Sequence, residues 1–408
     1  MRVLRCSDAV TISDDVFRQL SSATSGGPVC PQLQRLTWTF SYGWEHMQRF
    51  LSPYLVSVIF LGENETKRTT DLALVNTFSL LPTTYLEELE FKHLFPRSAP
   101  IHPVFSEVVQ RLNTCFRRLT IWSSLSDAAW AHLASLPNLE RLWITDTPST
   151  EIWKSTAHEN IFPALKHISI NADRARQHWS FLFSSLQSSP RQRVMIVMGP
   201  RARGVDVPRQ VTTAILETKL QRKINTLAFI GSDHNFLTFI SHLRPFSSLR
   251  NLRCDTRCGG VGRCTFPLGD SDIEQLASGL PRLVVLWLGH GCKYSTSITT
   301  IKSMVSLSTH CLSLEELHLP CDLTNISKDV KTESGEPNPK LGIRSSSRLQ
   351  SLAFQWVTAP PWDDIEALKI LASALNHLFP RLLRPVGSEI GDTWKAAFDV
   401  MTDFSPRS

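Results

Sequence analysis

Ser126–Asp146 reads SDAAWAHLASLPNLERLWITD, and the order of events inside it decides the fold. Ser126 and Asp127 offer side-chain oxygens to the free N–H groups of a starting helix. AAWAHLASL then carries helical apolar spacing until Pro137 stops it. Two residues later LERLWI alternates apolar and polar positions with the period of a strand. The whole unit returns at Ser271–Leu288, SDIEQLASGLPRLVVLWL, with Pro281 in the place of Pro137. Ser271 and Asp272 are its predicted helix start. A match over helix, stop and strand is far stronger than a match of single leucines.

The strand phrase recurs along the chain: LQRLTW at Leu33, LEELEF at Leu86, FRRLTI at Phe116, LKHISI at Leu165 and INTLAF at Ile224. It continues as LRNLRC at Leu249, LEELHL at Leu314 and LQSLAF at Leu349. Weaker versions stand at Leu55 (LVSVIF) and around Val194 (VMIVM), and RVLRC at the N-terminus reads as one more strand. Strands recurring every two to three dozen residues are the sign of a helix-containing leucine-rich repeat. Further helices are predicted over 14–22, 71–80, 233–243, 297–309 and 364–378. The expected fold is α/β: a leucine-rich-repeat solenoid, a curved horseshoe with parallel strands on the concave face and helices on the convex face. The solenoid is expected over 1–357, with a disordered insertion at 328–347 (KDVKTESGEPNPKLGIRSSS), and a C-terminal helical cap over 358–408.

Composition agrees with a folded, evenly charged chain. Of 408 residues, 42% are hydrophobic, and 43 basic against 37 acidic residues leave a net charge of +6. That surplus is too mild to point to nucleic acid. The basic stretch Arg201, Arg203, Arg209, Lys219, Arg222 and Lys223 has no interleaved aromatics, and it reads as a solvated loop and helix face. No apolar run approaches the length of a membrane span, and no signal-peptide core follows Met1. The expectation is an intracellular protein, cytoplasmic or nuclear, with no nucleic-acid or membrane partner.

In such a repeat the leucines point inward and alternate residues are offered outward. The position before the second leucine carries Arg35, Glu88, Arg118, Arg141, His167, Thr226, Asn251, Val285, Glu316 and Ser351. The next outward position carries Thr37, Glu90, Thr120, Trp143, Ser169, Ala228, Arg253, Trp287, His318 and Ala353. A third includes Trp122, Ile230, Asp255, Gly289, Pro320 and Gln355. Tryptophan and arginine are the enriched anchors of protein interfaces. The expected protein-binding residues on the concave face are therefore Arg118, Trp122, Arg141, Trp143, Arg253, Trp287, Glu88, Glu90 and His318. The other reading of the tryptophans is that irregular repeats tuck them against neighbouring loops.

Motifs for chemistry fare poorly. Cys254, Cys258 and Cys264, with His290 and Cys292 beyond, lack the tight paired spacing of a zinc site, and Cys254 ends a strand phrase and should point inward. CGGVG at Cys258–Gly262 has no lysine and hydroxyl residue behind it to bind phosphate. No nucleophile-elbow pattern occurs, and Glu87–Glu88 and Glu315–Glu316 are neighbours on strands, whose side chains point to opposite sides. No catalytic, cofactor or metal residue is assigned, and the chain is expected not to be an enzyme.

SDAAWAHLASLPNLERLWITD and FPALKHISI, with NHLFPRL near the C-terminus, resemble the repeat region of fungal F-box leucine-rich-repeat proteins, particularly those of mushroom-forming fungi. The resemblance covers nearly the whole chain. It implies the substrate-recognition part of an SCF-type ubiquitin ligase adaptor, in which an F-box helical module binds Skp1 and the repeats recruit the protein to be ubiquitinated. No such module precedes Met1–Cys6, so a Skp1 partner is expected only if an F-box lies upstream. A stand-alone repeat scaffold without a ubiquitin link, and a metal-dependent enzyme, are the alternatives.

Overall fold

A computed structural model describes residues 2–6, 13–24, 27–39, 44–61, 78–92, 103–121, 125–144, 161–172, 179–190, 192–198, 206–232, 234–256, 264–290, 294–322, 348–358, 373–375, 377–379 and 384–385. The chain is an α/β protein that divides into two compact units, Met1–Gln192 and Arg193–Ser408. Trp122, the insertion at 328–347, the glycine motif with Cys258, Cys292 and Arg201–Arg203, and nearly all of the proposed cap lie outside the described residues.

In the first unit seven strands form one parallel ladder in chain order: β1 Val3–Cys6, β2 Arg35–Thr39, β3 Ser57–Leu61, β4 Glu88–Lys92, β5 Arg118–Ile121, β6 Arg141–Ile144 and β7 His167–Asn171. RVLRC is thus a strand, as its pattern predicts. The register runs straight across, through Leu4, Leu36, Val58, Leu89, Leu119, Leu142 and Ile168. The first apolar residue of each phrase, Leu33, Leu55, Leu86, Phe116, Leu139 and Leu165, is 0% exposed. One face of the ladder is therefore continuous hydrocarbon. A fully buried leucine or phenylalanine contributes roughly 1.5–3 kcal/mol each.

Helices lie against that apolar face. Phe17 of the helix Asp14–Ala23 meets Trp38 at 6.0 Å between ring centroids. Phe105 of the helix Pro103–Gln110 meets Phe91 edge-on at 5.2 Å, and Phe91 stacks on Phe60 at 4.8 Å. The helix Asp127–Ser135 starts and stops where its sequence says. The Ser126 side chain accepts from Ala129 N–H, Ser126 N–H donates to Ser106 Oγ at 2.8 Å, and the helix ends before Pro137.

The strands β2 to β7 enter through one backbone device. Two successive N–H groups converge on a single carbonyl of the preceding strand: Val56 and Ser57 on Gln34, Glu87 and Glu88 on Val56, Arg117 and Arg118 on Glu87, Glu140 and Arg141 on Arg117. The second unit repeats this with Val284 and Val285 on Arg250, and Glu315 and Glu316 on Val284. Identical backbone geometry at each entry is what a recurring phrase should produce.

The second unit has strand order β8 Gln192–Val197, β9 Ile224–Ser232, β10 Asn251–Thr256, β12 Val285–His290, β14 Glu316–Asp322, β15 Ser351–Thr358 and β16 Arg384–Pro385. From β9 to β16 the pairings are parallel. Between them a small parallel pair, β11 Cys264–Gly269 and β13 Tyr294–Ile298, leads into the helices Asp270–Gly279 and Ile301–His310. Sequence patterning missed this pair, because its outlines Cys-Thr-Phe-Pro-Leu-Gly and Tyr-Ser-Thr-Ser-Ile lack the leucine phrase.

Four details differ from the sequence reading. The segment predicted as a helix over 233–243 is a 3₁₀ helix, His234–Leu243. The helix predicted from 297 begins at Ile301, because Ser297 and Ile298 belong to β13, and Thr300 caps it by accepting from Lys302 N–H. The helix predicted to open at Ser271 and Asp272 opens one residue earlier, at Asp270, while Asp272 reaches back to accept from Gly269 N–H at 2.9 Å. Gly289 also drops out of its outward row: Asp255 pairs with His290, and Gly289, at φ 73°, is the extra residue of a bulge.

Candidate protein-binding face

The face opposite the leucines carries the candidate residues, and the register places them in rows. In the first unit Arg35, Ser57, Glu88, Arg118, Arg141 and His167 stand side by side on β2 to β7. Thr37, Ile59, Glu90, Thr120, Trp143 and Ser169 form the next row. Both rows agree with the sequence columns. Ser57 and Ile59 are the additions, from the weaker phrase LVSVIF, which the sequence columns omit.

The carboxylates here are held by neighbours one strand away. Glu88 accepts from Ser57 Oγ at 2.6 Å on one side and from Arg118 Nη1 at 3.2 Å on the other. One residue earlier along the strands, Glu87 meets Arg117 at 3.8 Å and Glu140 meets Lys166 at 2.9 Å. The Lys166 hydrogen bond holds the Glu140 carboxyl below the usual glutamate value, helped by the charges of Arg117 and Arg118. Pairs this exposed contribute only about 0–1 kcal/mol each to stability. Their larger effect is on availability, since they consume the negative charge. Arg35 and Arg141 are exposed and have no acidic partner among the described residues. Trp143, two residues along β6 from Arg141, is half-buried with its ring edge inward. Its placement lies between the two sequence readings.

In the second unit the outward rows are Thr226, Asn251, Val285, Glu316 and Ser351, then Ala228, Arg253, Trp287, His318 and Ala353. Arg253 lies flat over the Trp287 ring, its guanidinium carbon 4.2 Å from the centroid, and extends toward Glu316 with 3.8 Å between nitrogen and oxygen. The stacking contributes about 0.5–1 kcal/mol at such a site and holds the guanidinium in one plane. His318 is more buried than an outward residue should be, at 9% exposure, with Nδ1 3.3 Å from the Leu288 carbonyl oxygen. The structure thus joins Arg253 and Trp287 to each other, adds Glu316, and sets His318 deeper, against the Leu288 carbonyl.

The cysteine cluster does not converge as far as it is described. Cys254 points into the leucine face, and burial, with the nearby Asp255 charge, pushes its thiol well above the ordinary value. Among the described residues no group of three His, Cys, Asp or Glu side chains is placed to hold a metal ion. Neither a protein-family model nor a curated protein matches the chain.

Proposed function

We propose that the chain is a leucine-rich-repeat solenoid acting as a non-catalytic protein-binding module, with the strand face opposite the leucines as its recognition surface. The observation that carries this reading is the straight register. It turns one face into uninterrupted core and arrays charged and aromatic side chains on the other at strand spacing. The repeated backbone entry supports it too, since stacked units of one design present a rigid, extended surface. Within this reading the resemblance to F-box leucine-rich-repeat proteins makes substrate recognition for an SCF-type ubiquitin ligase the preferred role, and a stand-alone scaffold the second. Among the described residues no helix is long and apolar enough to cross a membrane.

The test uses the full chain with a photo-crosslinking residue at Thr37 or Ser169, and in parallel at Glu274 on the exposed side of a helix. In extract of the source organism the two strand positions should give discrete adducts that Glu274 does not. Identical adducts from both faces, or none, would sink the reading. The ligase link is tested separately, by Skp1 binding of the chain extended with its upstream coding sequence. Absence of binding leaves the scaffold.

A further inference from the structure

We infer that the strand face of the first unit takes an extended acidic peptide segment, with two carboxylates about six residues apart bridging Arg35 and Arg141. This rests on the binding-module reading and names its partner's chemistry. Glu87, Glu88 and Glu140 are each already paired with Arg117, Arg118 and Lys166, so Arg35 and Arg141 are surplus cations of this row, with Arg5 on β1 a further exposed cation beside Thr37. Arg141 also stands directly across from Arg118 on the next strand. Like charges so placed repel, and an incoming carboxylate relieves that repulsion.

The strand order fixes the spacing. Arg35 is on β2 and Arg141 on β6, four strands apart in the ladder. At about 4.8 Å per strand that is about 19 Å, and an extended chain advancing about 3.3 Å per residue covers it in about six residues. An even interval puts both carboxylates on the same side of the peptide. The centre of the path crosses Glu88 and Glu90 on β4. Glu88 is already saturated by Ser57 and Arg118, so a third acid in the middle would be repelled. Trp143, beside Arg141, offers an apolar contact next to the second carboxylate.

The experiment measures fluorescence anisotropy of the full chain with a labelled, otherwise neutral synthetic peptide carrying two aspartates about six residues apart. Expected is binding that weakens with salt and drops about tenfold when the aspartates become asparagines or are moved to half that spacing. The double variant R35E/R141E should lose the same factor and regain binding to a peptide with lysines in place of the aspartates. R209E, on a helix, should behave as wild type. Both arginines are exposed, so a thermal melt will show the double variant folded. Equal binding of the aspartate and asparagine peptides would overturn the proposal. So would a single-stranded RNA oligonucleotide that binds more tightly than the acidic peptide and is lost in the same variant. A partner crosslinked through Thr37 that is indifferent to R35E/R141E would remove the acidic segment and leave the binding module standing.

Discussion

Gly231 shows what one residue can fix. It sits at φ 82° where β9 bulges, and a Cβ there would come within 2.6 Å of the Met198 carbonyl oxygen, a backbone atom that cannot step aside. Gly231→Ala is therefore expected to cost about 1–3 kcal/mol, from left-handed strain and the close approach together, read as a lower urea midpoint. The cysteines divide just as sharply. Cys115 is exposed, whereas Cys254, Cys311 and Cys321 are buried free thiols. Alkylation of the native protein, mapped by peptide mass, should modify Cys115 and spare those three until the chain is unfolded. Modification of Cys254 at the rate of Cys115 would contradict its place in the core. The inward position of Cys254 is legible in LRNLRC, because it falls where other phrases carry phenylalanine, isoleucine, leucine or tryptophan. The partnership of Arg253 with Trp287 is not, because it crosses between strands 34 residues apart and depends on register.

Between elements, Asp270 works as a fastener. Its carboxylate, at the start of the helix Asp270–Gly279, accepts from Thr300 N–H at 2.7 Å, Thr300 Oγ1 at 2.7 Å and Ser303 Oγ at 2.5 Å. It thereby ties one helix start to the first turn of the next, Ile301–His310. Asp270→Ala leaves those donors without their acceptor and should destabilise by about 2–3 kcal/mol, with faster amide exchange in that first turn. Unchanged exchange there would mean that the tie is idle. Regular elements with the full helix–proline–strand phrase were readable from sequence, as 126–144 shows. Elements built on side-chain fastening were not. The pair β11 and β13 has no leucine phrase, and Asp270 gives no local sign that its partners lie 30 residues on. Propensity also misplaced the helix starts at 271 and 297, since the Gly269 N–H to Asp272 bond brings Asp270 into the first turn and β13 claims Ser297 and Ile298.

For the whole molecule, buried thiols predict an alkaline weakness. Burial pushes the Cys311 thiol from 9.0 up to about 12, and moves Cys254 and Cys321 in the same direction. Below about pH 9 folded and unfolded chains hold these protons equally. Above it the unfolded chain releases them first, so stability falls as pH rises through the window from 9.0 to about 12. Urea midpoints measured across that window should decline, and Cys311→Ala should make the decline shallower, whatever its packing cost at neutral pH. An unaltered slope would contradict the assigned burial. The ion-pair ladder of the first unit has a historical consequence. Glu87 and Arg117, Glu88 and Arg118, Glu140 and Lys166 each join two successive repeats, so neither repeat owns both halves of its pair. Excising the unit of β5 would strand Glu87 and Glu88, and excising the unit of β6 would strand Lys166. At about 0–1 kcal/mol each, such stranded charges are a small penalty rather than a bar, so they bias this stretch toward exchanging neighbours' charges together over gaining or losing a unit.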